Sequence, residues 1–352
     1  MTRRTFFTLP AIAVAQSTGA GEARIGLDGY SVRAYRWKAL ELVDYAAHIG
    51  ARTLQISSLG DLESLEPAYL ERVKQAALAK GVDLDAGIGC ICPLAGGWNK
   101  ADVDPATYLA KGLRVAKALG SSAMRCFLGN INDRRGKHSL DQLLEEPLRG
   151  LRAVRALAQD LGVKVAIENH GDLTARETRR LIEDAGKEHV GACLDIGNPM
   201  WVLEDPLLTV EVLAPYIVST HLRDSALYVH PRGAAFQWVA LGEGSMRVRE
   251  IFTKIRQVAP AAPLHLEIIT GRPPQVLAYY EADLWKSFGS LPAADFARFA
   301  TLVKNGRPYE GGMIIADIPG GPAAPPEYQA ALKLQQRLDL ERSLGFAKKM
   351  MA

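Results

Sequence analysis

Four residues of types that bind metal ions each stand at the end of a short apolar stretch. They are Glu168 in AIENH, Asp195 in CLDIGN, His221 in STHLRD and Glu267 in LHLE. If the fold brings them together, the three carboxylates repel one another unless a divalent cation offsets their charge. This oxygen-rich set with one imidazole favours manganese, with magnesium, cobalt, iron(II) or zinc as alternatives, whereas a closed structural zinc site prefers thiolates and imidazoles. The sequence therefore predicts one divalent metal ion per chain.

The same four residues suggest proton transfer. A C–H bond next to a carbonyl becomes acidic when a cation polarises that carbonyl and stabilises the enediolate. Glu168 and Glu267, on different strands, could remove the proton and return it to another carbon or face. This predicts an isomerase or epimerase acting on a ketose or keto-glycoside. Two alternatives stay open: a lyase that performs β-elimination with the same residues, and a sugar-binding barrel without catalysis, which would not need two glutamates.

The elements that must position these residues follow a regular rhythm from residue 24 onward. Short apolar runs alternate with amphipathic stretches, several of which end in a glycine, as helix C-termini often do. The predicted strands are residues 24–27, 53–57, 82–86, 123–128, 163–168, 191–195, 217–221 and 264–267. Eight such units predict an α/β fold, the (β/α)8 TIM barrel, in which consecutive strand ends meet at one rim. A doubly wound open sheet is the alternative, but no GxGxxG follows the first run.

The pattern changes after the eighth predicted strand. Residues 273–326 mix helical pieces with a Gly/Pro-rich loop, and a helical stretch follows at 327–350. We expect residues 21–352 to form a single TIM-barrel domain whose last helix closes the ring. Because residues 273–326 start at the rim where active sites of this fold lie, we expect them to form a lid-like insertion over the barrel mouth.

Other residues near the predicted strand ends are candidate substrate contacts. His170, two residues after Glu168, is one, with a loop histidine bonded to the backbone as the alternative. Arg125 is another, with a buried ion pair as the alternative. Asp224 could orient His221 or reach the metal, or it could pair at the surface with Arg223. Three aromatic rings that could stack on a sugar, or simply pack in the core, follow predicted strands one, three and six: Tyr30, Trp98 and Trp201.

The sequence segments around Glu168, Asp195, His221 and Glu267 resemble those of the xylose-isomerase-like barrel superfamily, in particular its sugar phosphate isomerase/epimerase branch. The resemblance covers residues 24–270. The resemblance implies the same four metal ligands and the same proton-transfer chemistry. It extends to the LGEG turn at residues 241–244, which makes Glu243 a further candidate contact. Ketose 3-epimerases commonly carry a substrate-binding histidine three residues after the metal-binding aspartate, where this chain has Asn198. An amide can bond a sugar hydroxyl but cannot titrate near neutrality.

The first twenty residues predict export. Arg3 and Arg4 precede two phenylalanines, a short apolar run and a small-x-small pattern ending at Ala15, an order that resembles a twin-arginine signal peptide. We expect residues 1–20 to be removed and the folded protein to be periplasmic, where phosphorylated sugars are scarce. Chance arginines in an ordinary N-terminus are the alternative. The expected substrate is therefore an unphosphorylated sugar.

The amino-acid composition restricts the kinds of binding partner that we expect. The chain is 48% hydrophobic and 23% charged with a net charge of +3 and no basic stripe, which gives no indication of nucleic-acid binding. No segment after the signal approaches the roughly 20 apolar residues of a membrane span. The expected partner is a small-molecule sugar, with homo-oligomerisation left open. Four cysteines without CxxC spacing, all expected to be buried thiols, are Cys90, Cys92, Cys126 and Cys193.

Overall fold

A computed structural model describes residues 23–351 of the chain. Eight parallel strands close into a barrel in which β1 pairs with both β2 and β10. The barrel strands are β1 (Ile25–Asp28), β2 (Thr53–Ile56), β3 (Asp83–Cys90), β4 (Ala123–Phe127), β5 (Lys164–Glu168), β6 (Val190–Asp195), β7 (Ile217–Leu222) and β10 (Leu264–Leu266). Each predicted strand overlaps one of these, and the predicted TIM barrel is confirmed. The predicted signal peptide, residues 1–20, lies outside the described residues.

Twelve helices belong to the described part of the chain, most of them packed around the barrel. They are α1 (Ala39–His48), α2 (Pro67–Ala79), α3 (Pro105–Leu119), α4 (Ile131–Arg134), α5 (Leu140–Ala153), α6 (Arg155–Leu161), α7 (Ala175–Ala185), α8 (Pro206–Leu213), α9 (Val248–Val258), α10 (Ala282–Trp285), α11 (Ala293–Asn305) and α12 (Pro326–Met351). Only Val154 separates α5 from α6. None of the described helices is long and apolar enough to cross a membrane.

Helix α3 shows how the sequence sets these boundaries. The Asp104 side chain accepts the Thr107 backbone N–H at 3.0 Å and caps the first turn. Leu109 and Leu113, four residues apart, are both fully buried against the barrel. Gly120 ends the helix with φ of +82°, a left-handed conformation that glycine adopts without a side-chain clash. The predicted glycine C-terminus is thus present here.

A second, three-stranded antiparallel sheet was not predicted. It consists of β8 (Asp224–His230), β9 (Gly233–Val239) and β11 (Gln275–Leu277), in the order β11-β9-β8. The β8–β9 hairpin begins two residues after β7 ends. The Asp224 carboxylate accepts the backbone N–H groups of Gly242 and Gly244, each at 3.0 Å, so it joins the start of the hairpin to the segment that returns to the barrel.

The long C-terminal helix and the insertion before it are attached to the barrel mouth. In α12, Gln336 accepts the Ala34 N–H at 3.0 Å, and Asp339 accepts the Thr270 hydroxyl at 2.7 Å. Within residues 273–325, β11 pairs with the hairpin and a Gly/Pro-rich loop precedes α12. Asp317 of that loop bonds residues of the rim. The last helix therefore closes the ring as expected.

Candidate active site

The four predicted metal ligands meet at the carboxyl end of the barrel. Glu168 ends β5, Asp195 ends β6, His221 is the penultimate residue of β7 and Glu267 directly follows β10. All four are buried, with exposed fractions of 1%, 0%, 0% and 7%. One ligand atom from each lies within 4.8 Å of the other three. We call these four residues the acidic cluster.

The imidazole of His221 is held in one orientation. Its Nε2–H donates to Gln55 Oε1 at 2.5 Å. Nδ1 has no hydrogen-bond partner among the described residues and lies 3.4 Å from Glu168 Oε1 and 3.7 Å from Glu267 Oε2. Because Nε2 is held by Gln55, Nδ1 is the ring nitrogen that faces the carboxylates. Burial lowers the pKa of His221, but Cys193 and Glu168 raise it well above the ordinary value. Nδ1 is therefore protonated without a metal ion and would release that proton on becoming a metal ligand.

Gln55 is a site residue that sequence reasoning missed. It lies in β2 two residues after Thr53, so the two side chains share the inward face of the barrel. Its Nε2 donates to Ser219 Oγ at 3.2 Å, which orients the amide so that its oxygen meets His221. The signal in the sequence was a glutamine among apolar residues of a buried strand (TLQI).

Two buried arginines offset part of the negative charge. Arg125 Nε donates to Glu168 Oε2 at 2.5 Å, so the buried ion pair weighed at Arg125 is present. Arg223 pairs with Asp195 and donates to Glu267 Oε2 at 2.5 Å. The surface pair of Arg223 with Asp224 is therefore wrong. Arg223 lies two residues after His221 and so on the same side of the chain.

The pKa shifts show how charge is distributed among the buried ionisable groups of the site. Burial opposes ionisation of Glu168, but Arg125 and His221 hold the pKa of its carboxyl well below the ordinary value. Burial raises the pKa of Asp195 to about 7, against the pull of Arg223. Three carboxylates face two guanidinium groups, and without a metal ion the protonated His221 supplies the third positive charge.

A further carboxylate, Asp28, adjoins the acidic cluster. Its Oδ1 accepts the Tyr30 N–H at 2.8 Å and the Ser57 hydroxyl at 2.6 Å. Its Oδ2 has no hydrogen-bond partner in the described chain and lies 3.6 Å from His221 Nε2. Burial raises the pKa of Asp28 to about 6. The sequence analysis missed Asp28 because the first strand was predicted to end one residue earlier.

The acidic cluster fits a divalent cation. Three carboxylate oxygens and one imidazole nitrogen suit manganese, magnesium or iron(II). Opposite ligands on an ion with bonds of about 2.1 Å lie about 4.2 Å apart, close to the 4.8 Å within which these atoms lie. A buried nitrogen without a partner, such as His221 Nδ1, is rare in native structures unless something binds it.

The two glutamates have different surroundings. Glu168 Oε2 pairs with Arg125, and its Oε1 accepts the Asn198 side-chain amide at 3.1 Å. Glu267 lines a cavity. Its Oε2 pairs with Arg223, and its Oε1 accepts no hydrogen bond from the described residues. Glu267 is therefore the glutamate whose carboxylate oxygen is free for a proton.

The cavity lies over the acidic cluster and has a volume of about 1170 Å³. Five predicted substrate contacts line it: Tyr30, Arg125, His170, Asn198 and Trp201. The His170 ring stacks on Phe127 with centroids 4.2 Å apart, and its Nδ1 bonds the Gly129 carbonyl oxygen at 2.7 Å. Both interpretations of His170 therefore apply: its ring is bonded to the backbone, and it also lines the cavity where a substrate could contact it.

Three predicted contacts lie elsewhere. The Trp98 ring packs edge-on against Tyr108 at 6.0 Å, because the loop after β3 folds towards α3. The Asp224 carboxylate is occupied by the backbone amides at the base of the hairpin. Glu243 accepts the Tyr309 hydroxyl at 2.9 Å and Arg342 at 2.7 Å, outside the cavity. The structure therefore does not bring these three predicted contacts to the cavity.

The four cysteines are core residues, as expected, and so is His265 of β10. All four cysteines are free and buried, and burial raises the pKa of the Cys90 thiol to about 12. Burial lowers the pKa of His265 to about 3. The His265 ring is therefore neutral, with Nε2 2.9 Å from the Thr53 hydroxyl.

A TIM barrel with buried carboxylate and imidazole side chains that could bind a metal ion, at the carboxyl end of its strands, defines a broad class of proteins. Residues 43–288 match the xylose isomerase-like TIM barrel family. The match covers more than half of the chain, so the protein belongs to this family, and the resemblance seen in the sequence is confirmed.

Individual proteins of known structure or activity are more distant. A 3-oxo-isoapionate decarboxylase from Pectobacterium atrosepticum is 24% identical over 56% of this chain and 68% of its own. The 3-keto-D-glucoside 4-epimerase YcjR of E. coli superposes with a TM-score of 0.55 at 16% identity, covering 76% of this chain and 98% of that one. The probable 3-DHS dehydratase AsbF of Bacillus anthracis gives 0.52 at 18% identity, covering 69% and 92%. At such identities, the structural similarity shows a shared fold.

Proposed function

We propose that the protein is a divalent-metal-dependent isomerase or epimerase that removes and returns the proton next to the carbonyl of an unphosphorylated keto-sugar. The observation that carries the proposal is the acidic cluster, in which Nδ1 of His221 faces three carboxylates at the floor of a cavity. The activities named for similar proteins, a keto-glucoside epimerase, a dehydratase and a decarboxylase, support sugar chemistry at such a site. Manganese is the proposed ion, and export of the folded protein to the periplasm is proposed from residues 1–20.

The residues divide the work. A bound divalent ion would polarise the substrate carbonyl and stabilise negative charge on its oxygen. Glu267, whose Oε1 is free at the cavity wall, accepts the proton from the neighbouring carbon. Arg125 keeps Glu168 ionised, and Asn198 donates to the same carboxylate. His170 lines the opposite part of the rim and is placed to bond a sugar hydroxyl.

A lyase is the second candidate, because only Glu267 of the two glutamates has a free carboxylate oxygen. Epimerisation with two bases needs a second accessible group on the other face of the substrate. Elimination needs one base and departure of a leaving group. The occupied carboxylate of Glu168 therefore favours β-elimination whenever the substrate carries such a group.

Two arginines that could have bound a phosphate are already paired. Arg272 donates to Tyr30 at 2.6 Å and to Asp317 at 3.1 Å. Arg232, at the tip of the hairpin, is paired with Glu281. These pairs support an unphosphorylated substrate.

The test is incorporation of solvent deuterium into keto-sugars by the manganese-loaded protein. Glu267→Gln is expected to slow exchange by about 100-fold or more, because the amide has no basic site. Glu243→Gln, at a surface glutamate outside the cavity, is the matched control and should exchange like the parent. Deuterium that appears without the enzyme's metal, or at parental rate in Glu267→Gln, would contradict the proposal. Product analysis separates epimerisation from elimination.

A further inference from the structure

The cavity extends well beyond the acidic cluster. Pockets of about 300–1000 Å³ hold drug-sized ligands, and this one has a volume of about 1170 Å³. Glu267, Arg125 and Arg223 line its inner end, whereas Trp238, Arg272 and Ile318 belong to segments outside the barrel strands. A single sugar ring over the acidic cluster leaves the rest of this space to be filled.

Aromatic and aliphatic side chains form the walls of this second space. We call it the outer chamber and define it by Tyr30, Trp201, Trp238, Arg272 and Ile318. The rings of Trp201 and Trp238 lie 6.1 Å apart. The Arg272 guanidinium lies 5.9 Å from the Trp238 ring and 5.8 Å from the Tyr30 ring. The outer chamber thus contains three aromatic rings, two of which lie beside the same guanidinium group.

The outer chamber adjoins the acidic cluster. Tyr30 donates its backbone N–H to Asp28, whose other carboxylate oxygen lies 3.6 Å from His221. Trp201 follows Asn198 in the same short helical turn after β6, and Asn198 donates to Glu168. A ring placed over the acidic cluster would therefore have these aromatic residues next to it.

Segments added to the barrel build most of the outer chamber. Trp238 comes from the β8–β9 hairpin, Arg272 from the segment after β10, and Ile318 from the Gly/Pro-rich loop before α12. Asp317, next to Ile318, binds both Arg33 (2.5 Å) and Arg272 (3.1 Å) and fixes the loop against the rim. Separate elements of the chain therefore enclose space that the acidic cluster itself does not need.

The chemistry of the walls favours a ring over a charged group. Arg272 is shared between Asp317 and the Tyr30 hydroxyl, so its donors are engaged. What remains open to a ligand is aromatic face and the exposed side of Ile318. Flat, largely uncharged rings pack well on such surfaces, whereas at Arg272 a phosphate would have to displace an existing ion pair.

We propose that the outer chamber is a binding subsite for a second ring, a sugar or an aryl group, joined by a glycosidic bond to the keto-sugar. The substrate is then a keto-glycoside and not a free ketose. This inference rests on the proposed function, which places the keto-sugar ring over the acidic cluster. The second ring packs against the cavity side of Trp201 and Trp238, two rings too close together, at 6.1 Å between centroids, to admit a ligand between them.

The first experiment compares kcat/KM for 3-keto-glucose and its methyl, phenyl and glucosyl glycosides, measured by deuterium exchange with the full manganese-loaded chain. The phenyl and glucosyl compounds are expected to exceed the methyl compound by about tenfold. Trp238→Leu should abolish that difference, and Trp201→Leu serves if Trp238→Leu does not fold. Trp98→Leu, outside the cavity, should preserve it. Equal values for methyl and ring-bearing glycosides, or a preference for free or phosphorylated ketose, would overturn the proposal.

A binding experiment separates this proposal from the proposed function. Calorimetry with unoxidised phenyl and methyl glucosides measures the outer chamber without any chemistry. Tighter binding of the phenyl compound, lost in Trp238→Leu and kept in Trp98→Leu, supports the outer chamber even if no keto-sugar exchanges its proton. Absence of exchange would instead overturn the proposed function. Equal binding of both glucosides by the parent protein would overturn the outer chamber.

Discussion

Arginine–carboxylate pairs lie beside both the acidic cluster and the outer chamber, but in different surroundings. The side chains of Arg125 and Glu168 are 8% and 0% exposed, whereas those of Arg33 and Asp317 are 14% and 27% exposed. The first pair joins two barrel strands, and the second joins the rim to a loop. Breaking a buried pair leaves an uncompensated charge in a poorly solvated place, whereas water can replace a lost partner at the mouth. The comparison teaches that charge in the acidic cluster carries a far larger energy than charge in the outer chamber.

The largest expected effect is on stability. Arg125→Met leaves Glu168 buried without its partner and should lower the free energy of unfolding by about 3–5 kcal/mol without metal. Added Mn²⁺ should restore part of the loss, because a cation offsets the same carboxylate. Urea unfolding with EDTA and with Mn²⁺ measures both effects.

Arg33→Met is the matched control, because it removes a guanidinium from the mouth with the same substitution. It should lower the free energy of unfolding by about 1–2 kcal/mol, less than Arg125→Met, because Arg33 also donates to the carbonyl oxygens of Tyr30 and Thr270. If the two variants lose similar stability, the contrast between the two regions disappears.

A smaller effect is expected on metal affinity. Gln55→Leu removes the acceptor that holds the proton on His221 Nε2, and loss of such a partner typically weakens metal binding by about 10–100-fold. Calorimetric titration with Mn²⁺ measures it. Gln275→Leu, at a cavity-lining glutamine that donates to the Pro273 carbonyl oxygen, should bind the ion like the parent. Equal affinity in both variants would show that Gln55 does not orient the imidazole.

The smallest effect is on the loop over the outer chamber. Burial opposes ionisation of Asp317, but Arg33 and Arg272 hold the pKa of its carboxyl below the ordinary value. A depressed folded-state pKa means that the stabilisation is present at neutral pH and is lost as the pH falls below about 4. Asp317→Asn should loosen residues 306–325 at neutral pH, at a cost of under about 1 kcal/mol. Hydrogen–deuterium exchange, corrected for intrinsic rates, measures this, and unchanged protection in the variant would refute it.

The barrel and the acidic cluster could be predicted because both depend on local patterns. Apolar runs alternate with amphipathic helices, and a polar residue at the end of each run must face the same rim. The position of Glu267 directly after β10 follows from counting eight runs. Gln55 could have been predicted in the same way, since its inward position follows from the two-residue period of a strand.

The remaining features depended on information that local patterns do not contain. Arg223 reaches Asp195 and Glu267, residues distant in sequence, and only their spatial positions decide the pairing. Trp98 lies on a long loop after β3 whose direction no periodicity determines. The β8–β9 hairpin escaped prediction because it follows β7 without an intervening helix, contrary to the rhythm of the rest of the chain.

The closure of the hairpin by Asp224 has a consequence for how this barrel can change over evolutionary time. One carboxylate ties the departing strand to Gly242 and Gly244 of the returning segment, so the excursion leaves and rejoins the barrel at almost the same point. Lengthening a loop whose ends are already fixed costs only about 0.6 kcal/mol per doubling. The hairpin can therefore be replaced as a unit, with a different residue in the place of Trp238, while β7 and His221 keep their register.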